Sequence, residues 1–365
     1  MVPLIEILGY AVKHGASDIH LSVGSPPACR IDGKIRFFSD TSLTPYDTSE
    51  FLNEILNADQ RAEFDTCGDA DVAIGIPGLG RFRVNVLHQR SSIGIVLRHV
   101  KGKVQAFEDL QLPPAMDEIA KIRRGLILIT GTTGSGKSTT LAAMIDTINR
   151  TRREHIITIE DPIEFLHTNK KSVVTQREVS IDTKDFKTAL RAAMREDPDV
   201  ILIGEMRDAE TFGAAMAASE TGHAVYSTLH TTNAMLTIDR IMDMFPADQQ
   251  DQIRSQLALQ LKACIAQRLV PCADGEGRVP AVEILFNSPA VAQLIRENHI
   301  KAIDTAIQAG QNDGMQTFNT SLLDLIKREL ISTEDALDFS DNPEELKMNL
   351  KGIFLSASRG SILKK

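Results

Sequence analysis

The run Gly125–Thr130 (GLILIT) leads directly into Gly131-Thr132-Thr133-Gly134-Ser135-Gly136-Lys137-Ser138, and a helical stretch follows from Thr139 to Ile148. Nothing else in this chain constrains its fold as strongly. An apolar strand, a glycine-rich turn and a helix N-terminus, in that order, make a phosphate-binding loop. The glycines let backbone N–H groups close around a β-phosphate with no Cβ in the way. Lys137 supplies a point charge for the β- and γ-phosphates, and the Ser138 hydroxyl is placed to ligate Mg²⁺. A flexible glycine loop could match the letters by accident, but the strand before and the helix after argue against that. Residues Gly131 to Thr139 are therefore read as a site for ATP with Mg²⁺.

The length of 365 residues exceeds what one core usually serves, so two domains are expected. A hydrophobic share of 42% and a charged share of 24% describe an ordinary soluble globular protein. The net charge of −9 argues against broad electrostatic binding to nucleic acid or an anionic membrane. With no Trp and three Tyr, a stacking platform for single strands is poorly supplied. The start Met1-Val-Pro-Leu-Ile-Glu6 is not a signal peptide, and no window is long and apolar enough for a transmembrane helix. A cytoplasmic protein is expected, with any membrane association running through partners. Cys29, Cys67, Cys264 and Cys272 form no C-x-x-C pair and read as reduced, mostly buried thiols.

Residues 1–100 carry mainly period-2 signals. Ser17–Val23 and Ala28–Phe38 read as strands, the latter folded at Asp32-Gly33. Between Arg81 and Val86 the chain alternates, with Phe82, Val84 and Val86 on one face and Arg81, Arg83 and Asn85 on the other. Ser92–Val100 is the candidate antiparallel partner, and Thr48–Glu63 a helix. An α+β domain follows, then a linker over 101–114 marked by Gly102 and Pro113-Pro114. From 115 to 288 apolar strands alternate with amphipathic helices: Leu126–Thr130, His155–Glu160, Val200–Gly204, Ala224–His230 and Ala281–Phe286. Near-continuous apolar strands imply a parallel sheet covered on both faces, an α/β ATPase core. Residues 289–365 read as helical, with a break at Gly310–Gly314 and a polar tail from Ser356.

Glu160, Asp161 and Glu164 flank Pro162 at the end of one strand. In a parallel sheet the carboxyl ends of strands face the ligand crevice, so these acids are candidates there, Glu160 and Asp161 for the metal. A solvated acidic loop is the plainer alternative. Asp199–Glu205 (DVILIGE) ends in Gly204 where a metal-positioning strand usually carries an acid, and Glu205 follows. Glu205 is accordingly the candidate for polarising the attacking water, with a helix-starting acid as the other reading. His223 and His230 flank the next strand; His230 is a candidate γ-phosphate sensor or a structural histidine, and neither is read as a metal ligand. Arg81, Arg83, Arg90 and Arg98 crowd the strands of the first domain, and an arginine reaching transition-state charge contributes about 10³–10⁵-fold to phosphoryl transfer.

Together these segments resemble the secretion ATPases of type II and type IV systems, and most closely the type IV pilus retraction ATPases of the PilT family. The resemblance runs through Gly15–His20 (GASDIH), Gly80–Asn85, Gly131–Thr139, Ile159–Phe165 (IEDPIEF), Gln176–Val179, Gly204–Asp208 (GEMRD), Thr221–Asn233 and Gly314–Phe318. It implies a PAS-like N-terminal domain and a RecA-like ATPase core assembled as a homohexameric ring, with arginines of the N-terminal domain completing the nucleotide site. By resemblance Glu205 is the catalytic glutamate and Glu164 a second essential acid. His223 and His230 match the family's histidine box, and Arg81, Arg83 and Arg98 match its arginine positions. The implied output is rotation of N-terminal domains, transmitted to an inner-membrane platform protein so that pilin leaves the pilus base, with no direct contact to nucleic acid.

Extension and type II secretion ATPases usually carry a longer N-terminal region and a four-cysteine zinc element. This sequence has neither, which favours retraction. The late motif of the retraction family, Ala-Ile-Arg-Ala-Gly-Gln, reads Ala306-Ile307-Gln308-Ala309-Gly310-Gln311 here. That motif is linked to retraction rather than to hydrolysis, so the change leaves room for a PilU-like accessory ATPase.

Overall fold

The computed structural model describes residues 2–31, 33–100, 102 and 104–352. The chain divides into two compact units, residues 1–103 with Ile163–Leu166, and residues 104–162 with 167–365.

The first unit contains α1 (Leu4–Lys13), β1 (Asp18–Ser22), β2 (Ala28–Ile31), β3 (Lys34–Phe37), α2 (Pro45–Ile55), α3 (Ala58–Cys67), β4 (Asp69–Ile76), β5 (Gly80–Gln89) and β6 (Ser92–Val100). Its strands form one antiparallel sheet in the order β3-β2-β1-β6-β5-β4. Phe82, Val84 and Val86 enter a single core with Ile19, Leu21, Ile95 and Leu97, against Ile7 and Leu8 of α1. The alternation of β5 thus faces its charges away from that core. β2 and β3 pair as a hairpin, Ala28 opposite Phe37; Asp32 of the expected turn lies outside the described residues. The helix expected over Thr48–Glu63 is two helices. The chain turns extended at Leu56, and Asn57 starts α3 with a capping box to Gln60. Phe51, Ile55 and Leu56 keep an apolar face up to that break, so periodicity alone did not reveal it.

The second unit contains α4 (Ala115–Ala120), β7 (Gly125–Thr130), α5 (Lys137–Thr151), β8 (His155–Glu160), β9 (Val173–Glu178), α6 (Phe186–Ala193), β10 (Val200–Ile203), α7 (Ala209–Glu220) and β11 (Ala224–Leu229). There follow α8 (Ala234–Asp243), α9 (Ala247–Gln260), β12 (Leu261–Pro271), β13 (Arg278–Phe286), α10 (Pro289–Arg296), α11 (Ile303–Ala309), α12 (Phe318–Lys327), α13 (Thr333–Asp338) and α14 (Pro343–Leu350). The sheet order is β13-β12-β7-β11-β10-β8-β9, parallel except for the antiparallel edge pair β12–β13. All six residues of β7 are buried. Leu126 and Leu128 pack towards Phe212, Ile238 and Leu257. Ile127 and Ile129 pack towards Met144, Ile148 and Ile119 on the other face. Each such side chain contributes about 1.5–3 kcal/mol on burial, so β7 is held from both sides and its register cannot slip.

The proline-bearing stretch before α4 buries Phe107 and Leu112 in the same core. Ala281–Phe286, expected among the parallel strands, belongs instead to the antiparallel β13. Strands β9 and β12 were not expected. β9 is an edge strand of sequence VVTQRE with little apolar pattern, and β12 follows α9 without a polar break, so both lacked the usual marks. Gly314 closes the turn at the Gly310–Gly314 break with φ 87°. The polar tail from Ser356 lies outside the described residues. Helices α12 and α14 cover the outer part of β12–β13 through Phe318, Leu322 and Leu346. All four cysteines are free; Cys29 and Cys264 are buried, Cys67 is exposed. Burial pushes the Cys264 thiol up to about 12. No helix among the described residues is long and apolar enough to cross a membrane.

Candidate active site

The carboxyl ends of β7, β8, β10 and β11 lie side by side, Ile203 level with Ile159 and Ser227, and Leu229 level with Thr130. From this edge Gly131–Gly136 turn into α5. A Cβ at Gly131 would lie 2.4 Å from Ser135 Oγ and 2.5 Å from the Gln267 carbonyl oxygen, and one at Gly136 would lie 2.7 Å from Gln267 Nε2. Only glycine fits either place. Lys137 is 8% exposed and its Nζ donates to the carbonyls of Gly131 (2.7 Å) and Thr132 (3.1 Å). Thr132, Thr133 and Gly134 are exposed, while Ser138 and Thr139 are half-buried in the first turn of α5.

Among the described residues, the buried Ser135 hydroxyl has no hydrogen-bond partner. The first turn of α5 carries no acidic residue to offset its positive end. A cradle that rejects Cβ atoms, a buried ammonium, an orphaned Ser135 hydroxyl and an uncompensated helix N-terminus fit a phosphate chain.

Glu205 follows Gly204 just past β10. Its Oε2 accepts from Arg207 Nε at 2.9 Å and from the terminal guanidinium nitrogen at 2.8 Å, and its Oε1 stands 3.3 Å from His230 Nε2. The loop is tied to both neighbouring strands. Gly204 N–H donates to the Ile159 carbonyl at 2.8 Å, and Thr228 Oγ1 donates to the Gly204 carbonyl at 2.6 Å. Glu160 Oε1 accepts from Thr158 Oγ1 (2.6 Å) and Gln176 Nε2 (3.0 Å), while Asp161 is exposed beside it in the chain. After His230, Asn233 caps α8 and the Ala234 N–H donates to Glu283 Oε1 at 2.8 Å. Burial pushes the Glu283 carboxyl up to about 7, with Asp304 and Asp341 adding and the Ala234 N–H and Arg268 opposing. Among the described residues no group of three His, Cys, Asp or Glu is arranged to hold a metal ion.

The structure does not bring His223 to this loop. His223 precedes β11, whose first residue Ala224 is level with Gly125, and its Nδ1 lies 2.8 Å from the Ala218 carbonyl. Two histidines flanking one extended strand stand at its opposite ends, here about 20 Å apart. Arg81, Arg83, Arg98 and Glu164 belong to the first unit. There Arg83 is directly across from Arg98, and Arg98 from Asp18. Arg98 Nε donates to Asp18 Oδ1 at 2.8 Å. Burial alone would raise the Asp18 carboxyl, but Arg98 and Ser17 outweigh it and hold the group below its ordinary value. Arg83 and Glu164 are exposed. Three side chains that touch these groups had no role in the sequence reading: Gln267, and Arg207 and Gln176, which entered only as letters of the resembling segments. Arg207 had a signal, two residues after Glu205 on an extended segment; the glutamines lie on the two unexpected strands.

A phosphate loop on a strand separated by β11 from the strand that leads to Glu205, the candidate catalytic acid, defines a P-loop ATPase core of RecA type. The chain belongs to the type II/IV secretion system protein family, whose model matches residues 2–337. It is 46% identical over 341 residues to the type IV pilus retraction ATPase PilT of Pseudomonas aeruginosa, covering 93% of this chain and 99% of that protein. It is 40% identical over 346 residues to the type IV pilus ATPase PilU of the same organism, covering 95% and 91%. Among solved structures it is similar to the crystal structure of the pilus retraction motor PilT with bound ADP, with a TM-score of 0.87 and 48% identity over 95% of this chain and 99% of that one.

Proposed function

We propose that this chain is the ATP-hydrolysing motor of type IV pilus retraction, working as a homohexameric ring in the cytoplasm against an inner-membrane platform protein. The observation that carries the reading is the Glu205–His230 contact at the edge where the phosphate loop also opens, in a chain similar to PilT over nearly its whole length. Gly131–Thr139 hold the triphosphate, with Lys137 leaving its two carbonyl partners for phosphate oxygens. Ser138, with Glu160 and Asp161, would hold Mg²⁺, which would neutralise phosphate charge when bound. Glu205 orients the attacking water and takes its proton as the bond to the ADP leaving group breaks. His230, beside Glu205, reports whether the γ-phosphate is present. By family resemblance Arg81, Arg83, Arg98 and Glu164 complete the chemistry within the ring. His223 takes no part at its own chain's loop.

Deleting the gene in its source organism and counting pili tests the reading. More surface pili with lost twitching support a retraction motor, whereas bald cells would make it an extension motor. One observation favours a second reading, an accessory PilU-like ATPase: Gln308 stands exposed on α11 where the retraction family carries arginine. Unchanged pilus number, with weakened retraction under load, would select it.

A further inference from the structure

We propose that Gln267 is a positioning residue for the phosphate loop, clamping the loop to the first turn of α5 from the sheet side. The inference rests on the reading of Gly131–Thr139 as the nucleotide loop. Gln267 lies on β12 next to β7, one residue past Ala266, which is level with Thr130, and it is 3% exposed. Its carboxamide uses both ends: Nε2 donates to the Ser135 carbonyl at 2.8 Å, and Oε1 accepts from Thr140 Oγ1 at 2.8 Å. The Ser135 carbonyl can only accept, so it fixes which way the amide points. One side chain thereby ties the middle of the loop to the helix that the loop feeds.

The two loop glycines whose Cβ would collide do so partly with this same residue, at its carbonyl oxygen and at Nε2. Those glycines are therefore dictated by Gln267 in the folded chain itself. A loop of glycines with φ of 79° and 89° samples many conformers when free, and a fixed one spares the bound nucleotide that ordering cost. The neighbouring Arg268 anchors β12 in turn, donating to the Phe339 carbonyl and to Asp341 and lying 3.9 Å over the Phe318 ring.

The test uses the full chain, with ADP affinity by calorimetry and the steady-state KM and kcat for ATP. Gln267→Glu keeps the shape but turns an oxygen towards the Ser135 carbonyl. It should raise the ADP Kd and the ATP KM about tenfold or more, while kcat at saturating ATP stays within about threefold. Thr140→Ser should behave as the parent and Thr140→Val should raise KM about threefold. A Gln267→Glu chain with Kd and KM within about twofold of the parent, or one with kcat lost at unchanged KM, overturns the proposal. If Gln267→Glu does not fold, the Thr140 pair decides, and equal KM values overturn it. Lys137→Ala separates the two levels: should it bind ADP as well as the parent, the loop assignment itself fails, whereas its loss of binding beside a normal Gln267→Glu removes only Gln267.

Discussion

Glu205 is held between an imidazole and a guanidinium: His230 Nε2 stands 3.3 Å from one carboxylate oxygen, and Arg207 holds the other at 2.8 Å. Substituting Glu205→Gln keeps the shape and removes the proton acceptor. Hydrolysis should fall by about 10²–10⁴-fold with ADP binding within about threefold of the parent. Single-turnover kinetics with calorimetry read both quantities, and residual turnover within tenfold of the parent would remove Glu205 as the base.

Arg207 is mostly exposed at its side chain (67%), so its ion pair contributes little to stability, on the order of 0.2–1 kcal/mol. Its worth lies in fixing the Glu205 rotamer. Arg207→Ala should leave the melting temperature nearly unchanged and lower kcat roughly tenfold. A destabilised protein with normal kcat would show that the pair is structural.

What was legible in the chain divides by physics. β7, the loop and α5 were plain because burial on both faces, backbone approach and a helix N-terminus each leave letters behind. Glu205 and His230 were legible because both close apolar strands. Gln267 was not, since β12 runs on from α9 and its polar residue looks like an ordinary helix position. The opposite placement of His223 and His230 was legible from strand length, since residues flanking an extended strand stand at its two ends. The break between α2 and α3 was hidden because the apolar face of Phe51, Ile55 and Leu56 runs right up to the capping box of Asn57 with Gln60.

Glu283 makes stability depend on pH in a predictable direction. Its folded value of about 7 lies above the ordinary 4.5, so the folded chain keeps a proton that the unfolded chain has lost between those values. Stability from this group is full below about pH 4.5 and is lost as pH rises through 7, by at most about 3 kcal/mol. Glu283→Gln retains an oxygen for the Ala234 N–H and removes the titration. The variant should gain on the parent from about pH 5 to pH 7 in denaturant melts, and the difference should level off above that. Parallel pH profiles for the two proteins would show that Glu283 titrates normally.

Gln308 offers the sharpest separation of hydrolysis from mechanical output. Helix α11 packs through Ile303 and Ile307, and Gln308 faces outward. Arginine there is a comparable helix former in solvent, so Gln308→Arg should change stability by less than about 0.5 kcal/mol and ATP turnover by less than about twofold. If the family motif at this position couples the ring to pilin removal, the same change should strengthen twitching in a strain that lacks any sister ATPase. Turnover and colony expansion are measured on the same allele. A shift in turnover would tie α11 to the nucleotide site. Unchanged motility with unchanged turnover would mean that glutamine already serves the coupling step, because nothing else about the helix differs between the two proteins.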